Sequence, residues 1–428
     1  MKYEQIKSEL FKKNRAKFMA QMKPKSIAIF NSNDIYPVSA DSTMPFQQHR
    51  DILYLSGVDQ EESILLLFPD AIDKKSREIL FVRETNEHIA IWEGAKLDKE
   101  LAQKNSGVEK IYWLNQMDEV LNINIQRVNK IYLNKNIHSR STSEVETRDD
   151  RFRKTLTKKY PKKEILEVAP IMHELRFIKS EIEIELMKHA CDITEKGLRR
   201  ILPIIKPGIM EYQIEAELMH EFLSNRSAGF AYQPIIGSGV DSCVLHYIDN
   251  NKMCKDGEIL LMDFGAEYAN YASDLTRTVP VNGRFSERQK NVYNAVHRVM
   301  KAATNMLRPG TDHKKMQQEV IKIMEEELIS LGLFDKEDVK RQDPSKPMYK
   351  KYFMHGTSHS LGLDVHDVGD TSTPMQPGMV FTCEPGIYIR EEGIGIRLEN
   401  DVLVTSGDPD DLMKNIPIDY QEIESLMN

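Results

Sequence analysis

Five residues in the last part of the chain have the types and spacing expected of a site for two metal ions. Four are acids and one is a histidine: Asp263, Asp274, His359, Glu384 and Glu399. They lie in the segments LLMDFGAEYANYASDLTRT, HGTSHSLGLDVHDVG, TCEPGIYI and GIGIRLEN. Carboxylates gathered in one cleft repel each other unless cations lie between them, and hard divalent ions prefer oxygen-rich ligand sets. These residues predict a hydrolase with a two-metal centre.

Two predicted β-hairpins would bring the four carboxylates together in pairs. Acidic residues directly opposite each other destabilise a hairpin unless something positive lies between them. Asp263 also lies within the apolar run ILLMDFG, which favours a buried position over that of an ordinary surface acid. The expected pairs are Asp263 with Asp274, about a turn at Tyr268-Ala269, and Glu384 with Glu399, about a turn at Glu391-Glu392.

Three histidines, His355, His359 and His366, fall within twelve residues, and interspersed glycines argue against one continuous helix there. A single histidine is more often a core residue, but three beside paired acids favour a site. One imidazole with four carboxylates suits Mn²⁺, Co²⁺ or Fe²⁺ better than a sulfur-rich zinc site would. Two such ions, about 3.5–4 Å apart, can share a hydroxide that is a nucleophile near neutral pH.

The composition describes a soluble globular protein. A length of 428 residues predicts two to four domains at about 100–200 residues each. Hydrophobic residues make up 40% of the chain, and the mean hydropathy is -0.48. The net charge of -8 gives no reason to expect nucleic acid as a partner. The basic run from Arg151 to Lys163 is interpreted as a solvated face or linker.

The sequence also predicts a cytoplasmic protein without membrane partners. No apolar run reaches the roughly 18 residues that a transmembrane helix needs. The N-terminus lacks the apolar core of a secretory signal. Four cysteines are scattered without CxxC spacing, which favours reduced thiols: Cys191, Cys243, Cys254 and Cys383.

The first 170 residues or so have the pattern of an α/β domain. Residues 3–22 form a charged amphipathic pattern that predicts a helix. Short apolar runs, mostly separated by helix-length polar stretches, predict strands at Ser26–Phe30, Ile64–Phe68, Glu78–Val82, Lys110–Trp113 and Lys130–Leu133. The basic segment ends near Lys163 and a new pattern begins after Pro170, so we place the domain boundary between residues 172 and 173.

The second part of the chain predicts a duplicated half-domain. Ser180 and Glu183 fit a capping box at the start of a long helix. Three more helices are expected at Glu211–Leu223, Glu287–Leu307 and Lys314–Leu331. Strands are expected at Glu258–Gly265, Tyr271–Val279, Met379–Glu384, Ile387–Arg390 and Ile394–Val404. The order helix, helix, hairpin therefore occurs twice, at 180–279 and at 287–404.

The four segments that contain the five candidate metal ligands match, in order and spacing, the ligand motifs of the pita-bread metallopeptidases. The chain resembles the aminopeptidase P (Xaa-Pro aminopeptidase) branch of this family, which also includes prolidase and methionine aminopeptidase. The segment PFQQHRDILYLSGV resembles the N-terminal domain that aminopeptidase P and prolidase share. The resemblance implies an α/β (α+β) protein, with a creatinase-like domain at 1–172 and a catalytic pita-bread domain with a pseudo-twofold repeat at 173–428.

The resemblance also implies a role for each metal ligand. Asp263 would chelate one metal, whereas Asp274 and Glu399 would bridge both. His359 would bind the second metal. Glu384 would bind a metal close to the shared hydroxide and act as general base and then general acid.

Four further residues match positions that assist catalysis in the family. His246, in VLHYIDNN, would line the pocket and assist proton movement. His366 would hydrogen-bond the substrate or the tetrahedral intermediate. His355 would lie close to the pocket, and Arg397 would lie behind the metal ligands.

The implied activity is removal of the first residue from peptides that have proline in second position. It would use two divalent ions, with Mn²⁺ expected and Co²⁺, Fe²⁺ or Zn²⁺ as alternatives, in a dimer or tetramer. Prolidase, which cleaves Xaa-Pro dipeptides, is the rival assignment. Methionine aminopeptidase is disfavoured because it lacks the N-terminal domain, and a silent binding protein is disfavoured because all five ligands are present.

Three positions depart from the family pattern. The loop between Tyr388 and Gly393 is shorter than in many relatives, Asn400 stands where an aspartate is common, and Ser360 replaces a bulkier residue. None of these changes removes a ligand. We expect them to alter the pocket wall and entrance.

Overall fold

The computed structural model describes residues 3–138, 140–141 and 143–428. The chain divides into two compact units, Gln5–Leu175 and Arg176–Asn428, and the second unit also includes Tyr3 and Glu4. The division falls inside a helix, Ala169–Phe177, which also contains the boundary that we placed from the sequence. Among the described residues, no helix combines the length and the apolar character needed to cross a membrane.

Among its described residues, the N-terminal unit contains eight strands: β1 (Ser26–Asn31), β2 (Pro37–Ser39), β3 (Ser42–Thr43), β4 (Ile64–Leu67), β5 (Glu78–Val82), β6 (Lys110–Trp113), β7 (Lys130–Leu133) and β8 (Glu164–Glu167). Six of them form one sheet in the order β6-β5-β4-β1-β7-β8. Strand β4 is antiparallel to both its neighbours, and the other pairs are parallel. The five predicted strands are all present. The sequence missed β8, a four-residue edge strand with glutamate at each end.

In the part of this unit that the structure describes, seven α-helices accompany the strands: α1 (Ser8–Gln21), α2 (Arg50–Ser56), α3 (Glu87–Glu93), α4 (Lys99–Ser106), α5 (Met117–Ile125), α6 (Arg148–Lys159) and α7 (Ala169–Phe177). The helix predicted from residue 3 begins only at Ser8, and the backbone N–H of Glu4 donates to Oη of Tyr268 at 3.3 Å. Most of the basic run lies on α6, where Leu156 is the buried residue. Its charged side chains therefore cover a solvated helix face, as expected.

The C-terminal unit contains ten strands: β9 (Ile235–Ser238), β10 (Ile259–Phe264), β11 (Glu267–Tyr268), β12 (Tyr271–Ala272), β13 (Leu275–Pro280), β14 (Val380–Cys383), β15 (Gly386–Ile389), β16 (Ile394–Arg397), β17 (Asn400–Leu403) and β18 (Asp410–Asp411). Six helices follow the same numbering: α8 (Glu181–Ile201), α9 (Glu211–Ser224), α10 (Glu287–Met306), α11 (His313–Ser330), α12 (Lys336–Arg341) and α13 (Tyr420–Met427). Short 3₁₀ helices lie at Lys74–Arg77, Leu114–Gln116, Leu202–Ile204, Gly239–Cys243, Met348–Lys351 and Arg390–Glu392.

The expected order of helix, helix and hairpin occurs twice in this unit. The first set is α8, α9 and the strands β10–β13, and the second is α10, α11 and the strands β14–β17. The capping interaction at the start of α8 is present, because the backbone N–H of Ser180 donates to Oε2 of Glu183 at 2.8 Å.

The two hairpins form the framework of the site. Strands β13, β10 and β9 make one antiparallel sheet, and β14, β17 and β18 make another. An isolated β-bridge between Thr276 and Glu399 connects the two hairpins. Strands β13 and β16 are buried along their whole length, so acidic side chains placed here lose most of their contact with water.

Candidate metal centre

The turn of the first hairpin lies one residue further along the chain than expected. Tyr268 pairs with Tyr271, so the turn is centred on Ala269 and Asn270. These two residues have φ angles of 53° and 68°, the left-handed conformation that a two-residue hairpin turn requires. The predicted turn would have required the backbone of Tyr268, whose side chain is buried, to adopt this left-handed conformation, which is unfavourable for a bulky residue.

The shifted turn changes the pairing of the first two acids. Asp263 lies opposite Thr276, and Asp274 precedes β13, so the predicted direct cross-strand pair is wrong. Tyr232 links them instead, because its Oη lies 2.5 Å from Oδ1 of Asp263 and 2.5 Å from Oδ1 of Asp274. Sequence reasoning missed Tyr232, which stands outside the acidic segments.

The second hairpin has the predicted register. Strand β15 pairs with β16, and β14 pairs with β17, in one continuous register about a turn at Glu391 and Glu392. Glu384 and Glu399 lie between these paired segments and therefore face each other. The backbone bridge from Glu399 to Thr276 then brings this pair beside the first hairpin.

His359 lies between carboxylates of both hairpins. Its Nε2 is 3.5 Å from Oδ2 of Asp274 and 3.6 Å from Oε1 of Glu384. Its Nδ1 lies 3.0 Å from the carbonyl oxygen of Ser360, which favours a proton on Nδ1 and leaves Nε2 for a metal. Burial alone lowers the pKa of this imidazole, but the two acids outweigh burial and raise the pKa to about 9.

Several negative charges at once are strongly unfavourable among the acids that surround His359. Asp274, His359 and Glu399 offer ligand atoms that all lie within 4.8 Å of one another. Burial raises the pKa of Glu384 to about 7. Burial, together with repulsion from the neighbouring acids, raises the pKa of Glu399 well above its ordinary value. A cation placed among these groups would relieve both effects.

Comparison with known proteins identifies the family. Residues 185–406 match metallopeptidase family M24, and residues 11–132 match the aminopeptidase P N-terminal domain. The chain belongs to metallopeptidase family M24. The M24 match includes every residue that we predicted as a metal ligand.

Curated relatives cover nearly the whole chain. The Xaa-Pro aminopeptidase of Escherichia coli is 33% identical over 438 residues, which span 99% of this chain and 98% of the relative. That of Haemophilus influenzae is 34% identical over 435 residues, with the same coverage. Xaa-Pro aminopeptidase 3 of Homo sapiens is 32% identical over 412 residues, which span 92% of this chain and 79% of the relative.

Solved structures show the same fold. Aminopeptidase PepP from Pseudomonas aeruginosa has a TM-score of 0.89 at 30% identity and covers 99% of this chain, with 98% of its own length matched. An Escherichia coli aminopeptidase P variant in complex with substrate has a TM-score of 0.88 at 31% identity, with 99% of each chain covered. The expected fold class is confirmed.

Divalent ions follow from membership of the M24 metallopeptidases, and the residues present fit them. The donors are carboxylate oxygens and one imidazole, the set that hard or borderline divalent ions prefer. The imidazole is oriented by a backbone carbonyl, the acids are buried or half-buried, and the pKa values of Glu384 and Glu399 are raised. Which of the five residues bind each ion stays a prediction.

Arg397 of this M24 protein donates to three partners around the acids. Its Nη2 lies 2.6 Å from Oδ2 of Asp263, its Nη1 lies 2.9 Å from Oη of Tyr388, and its Nε lies 3.1 Å from Oγ1 of Thr276. The residue is 3% exposed. The guanidinium therefore supplies one buried positive charge to a cluster of several acids. Sequence reasoning placed Arg397 here but did not identify Tyr388 or Thr276.

His355 and His366 also lie at the cluster. Nε2 of His355 is 2.7 Å from Oη of Tyr388, and its Nδ1 is 3.9 Å from Oε2 of Glu384. Burial, reinforced by the charge of Arg397, lowers the pKa of His355 to about 4. The exposed ring of His366 packs edge-on against His359, with ring centroids 4.3 Å apart.

His246 is exposed and lies between the 3₁₀ helix Gly239–Cys243 and β10. The segment that carries it is fixed by the buried carboxylate of Glu211 on α9. This carboxylate accepts hydrogen bonds from Oη of Tyr247 at 2.9 Å and from the backbone N–H of Lys252 at 3.0 Å. It also accepts from the backbone N–H and the hydroxyl of Ser238, at 2.9 and 2.7 Å.

One of the departures from the family pattern has a direct structural role. The amide of Asn400 accepts from Nη2 of Arg277 at 2.8 Å and donates to Oδ2 of Asp411 at 2.7 Å. An ionised aspartate could accept from the arginine but could not donate to Asp411. Ser360 is buried and pairs with Phe381 through an isolated β-bridge.

Proposed function

We propose that the protein is a metal-dependent aminopeptidase that removes the first residue from peptides with proline in second position. The observation that carries the proposal is the group of Asp274, His359 and Glu399, two buried acids and a half-buried histidine whose ligand atoms all lie within 4.8 Å of one another. It occurs in a chain whose full-length relatives are Xaa-Pro aminopeptidases.

The residues that would hold two divalent ions are Asp263, Asp274, His359, Glu384 and Glu399. Bound ions of this kind polarise a carbonyl group and activate water near neutral pH. We propose Mn²⁺ as the native ion, because four carboxylates and one imidazole form a largely oxygen-donor set. Co²⁺, Fe²⁺ and Zn²⁺ are the alternatives.

Glu384 is the group that would move protons during cleavage. Its Oε1 lies 3.6 Å from Nε2 of His359, so the carboxylate lies among the proposed ligands, where it would accept a proton from the attacking water and pass it on to the prolyl nitrogen.

Three histidines and one arginine would act around that proton transfer. His366 and His246 would donate hydrogen bonds to the substrate oxygen as charge develops on it. Arg397 and His355 would position the reacting groups, since Arg397 bonds Asp263 and Tyr388 and His355 bonds the same tyrosine.

We further propose two domains at 1–172 and 173–428, a cytoplasmic location, and a homo-oligomer of two or four subunits. The cytoplasmic location is supported by the cysteines, because all four are buried and unpaired in the described residues. The domain division is supported by the two compact units of the chain. Size measurement in solution tests the subunit number.

The substrate is tested with three peptide series, Xaa-Pro, Xaa-Pro-Yaa and Xaa-Ala-Yaa, analysed by chromatography with Mn²⁺ present and with excess chelator. We expect release of Xaa from Xaa-Pro-Yaa, no cleavage before alanine, and loss of activity in chelator. Activity confined to the dipeptides would instead assign the protein as a prolidase. Full activity in chelator would refute a metallopeptidase.

Two further experiments make this test more specific. N-acetylated Xaa-Pro-Yaa should resist cleavage if the free amine is recognised. Glu384→Gln should abolish activity, whereas the matched control Glu391→Gln should not, because Glu391 is exposed at the tip of the same hairpin and pairs with Lys351.

A further inference from the structure

Thr276 occupies the position where the two acidic hairpins meet. It lies on β13 directly opposite Asp263, and on its other side it forms the isolated bridge with Glu399. The residue is completely buried. It is therefore the backbone neighbour of one predicted metal ligand from each hairpin.

The hydroxyl of Thr276 connects the arginine of the site to a carboxylate. Oγ1 lies 2.6 Å from Oε2 of Glu399 and 3.1 Å from Nε of Arg397. The arginine nitrogen can only donate, so the hydroxyl accepts from it. The single hydroxyl proton is then directed to Glu399, and the polarity of both hydrogen bonds is fixed.

This relay acts on a buried carboxylate, since Glu399 is 1% exposed. The described side-chain hydrogen bonds of Arg397 go to Asp263, Tyr388 and Thr276. The threonine hydroxyl thus links the guanidinium to Glu399 and stabilises one orientation of its carboxylate.

We propose that Thr276 is a positioning residue for metal binding, which holds the carboxylate of Glu399 in the orientation that a bound ion needs. The inference rests on the proposed function, since it assumes that Glu399 is a ligand. Hydrogen-bond partners that orient a metal ligand typically contribute 10- to 100-fold to metal affinity. We expect an effect of that size from the loss of this one hydroxyl.

The chain contains a closely matched control residue. Thr278 lies two positions further along the same strand, so its side chain points to the same face, and it is equally buried. Its Oγ1 also contacts Arg397, but it contacts the backbone and not the guanidinium. The hydroxyl donates to the carbonyl oxygen of Arg397 at 3.1 Å and accepts from the backbone N–H of Arg397 at 3.3 Å. Its described hydrogen bonds include none to a carboxylate.

The test compares substitutions that differ only at the hydroxyl. Thr276→Val removes the oxygen at nearly constant shape, and Thr276→Ser keeps it. Thr276→Ser and Thr276→Ala differ from each other by one oxygen atom. This second pair is used if the valine variant does not fold. Thr278→Val controls for loss of a buried hydroxyl on this strand.

Mn²⁺ is titrated calorimetrically into each protein after removal of metal, and thermal unfolding verifies that each variant is folded. We expect Thr276→Val, and Thr276→Ala relative to Thr276→Ser, to weaken Mn²⁺ binding about 10- to 100-fold. Thr276→Ser and Thr278→Val should stay close to wild type.

Two results would overturn the inference. One is wild-type Mn²⁺ affinity in folded Thr276→Val, and the other is an equal loss in Thr278→Val, which would indicate strand packing alone. Both leave the proposed function standing. A wild-type protein that binds none of Mn²⁺, Co²⁺, Fe²⁺ and Zn²⁺ would refute the proposed function and this inference together.

Discussion

Nε2 of His359 and Oε1 of Glu384 lie 3.6 Å apart, although they come from different segments of the chain. The pKa of the imidazole is raised to about 9 and that of the carboxyl to about 7. Near neutral pH this pair therefore holds protons that a divalent ion would have to displace. Both groups can serve as ligands only in their deprotonated forms.

The first prediction concerns the pH dependence of metal binding. Because raised pKa values mean more bound protons at neutral pH, Mn²⁺ affinity should rise with pH from 6 to 8, by about tenfold per pH unit for each proton displaced. The increase should level off above the pKa of His359, about 9. Titrations at pH 6, 7 and 8 in buffers of different ionisation enthalpy measure the affinity and the proton release. An affinity independent of pH would contradict these shifts.

The second prediction concerns Asp263→Asn and Glu399→Gln. Each removes one carboxylate that would offset the charge of the ions, so metal affinity and turnover should both collapse. Metal-free Glu399→Gln should nevertheless unfold at a temperature equal to or above that of the metal-free wild type, because repulsion from the neighbouring acids is reduced. Metal-free Asp263→Asn should unfold at a lower temperature, because it weakens the buried ion pair with Arg397. Elemental analysis and thermal unfolding measure the two effects. Near-normal turnover at low metal would exclude the substituted residue as a ligand.

The third prediction concerns His366→Ala and His246→Ala. Both side chains are exposed and neither belongs to the close ligand group, so metal content should stay near two ions per chain. The catalytic constant should fall about 10²- to 10³-fold, the effect of losing one donor to a developing oxyanion. His220→Ala, at an exposed position on α9, serves as the control. Loss of metal from His366→Ala would mean that His366, and not His359, is the imidazole ligand.

The fourth prediction concerns Glu211→Gln. Four hydrogen bonds converge on this buried carboxylate, and an amide would place its own donors against some of them. We expect a loss of about 1–3 kcal/mol in the free energy of unfolding. Turnover should fall as well, because the segment that carries His246 is released, whereas metal affinity should change little.

Glu215→Gln is the matched control for this prediction. It lies one turn further along α9, is half-buried, and accepts one described hydrogen bond, from Nδ2 of Asn250 at 2.9 Å. Its substitution should have the smaller effect on both stability and turnover. If Glu211→Gln unfolds like the wild type in urea, the carboxylate does not fix this segment.

The sequence determined the ligand types and one of the two hairpins. Glu384 and Glu399 face each other as predicted, because the register of a hairpin follows from its turn and the turn at Glu391 and Glu392 was correctly placed. The long helices of the C-terminal unit were also predictable, since their apolar periodicity and the capping residues at Ser180 and Glu183 are local properties of the chain.

Only the tertiary structure decided how the acids are connected. The first hairpin turns at Ala269 and Asn270, which adopt the left-handed backbone conformation while Tyr268 stays buried on the strand. This arrangement is more favourable than the predicted turn at Tyr268 and Ala269, which would have placed Asp263 and Asp274 opposite each other. Tyr232 contacts Asp263 and Asp274, and Thr276 contacts Glu399, although each of these two residues is distant in sequence from the acids that it contacts. No local pattern marks a single tyrosine or threonine as a hydrogen-bond partner. Such contacts depend on how separate strands pack together, so the chemistry of the ligands can be derived from the sequence, whereas their supporting hydrogen bonds require the folded chain.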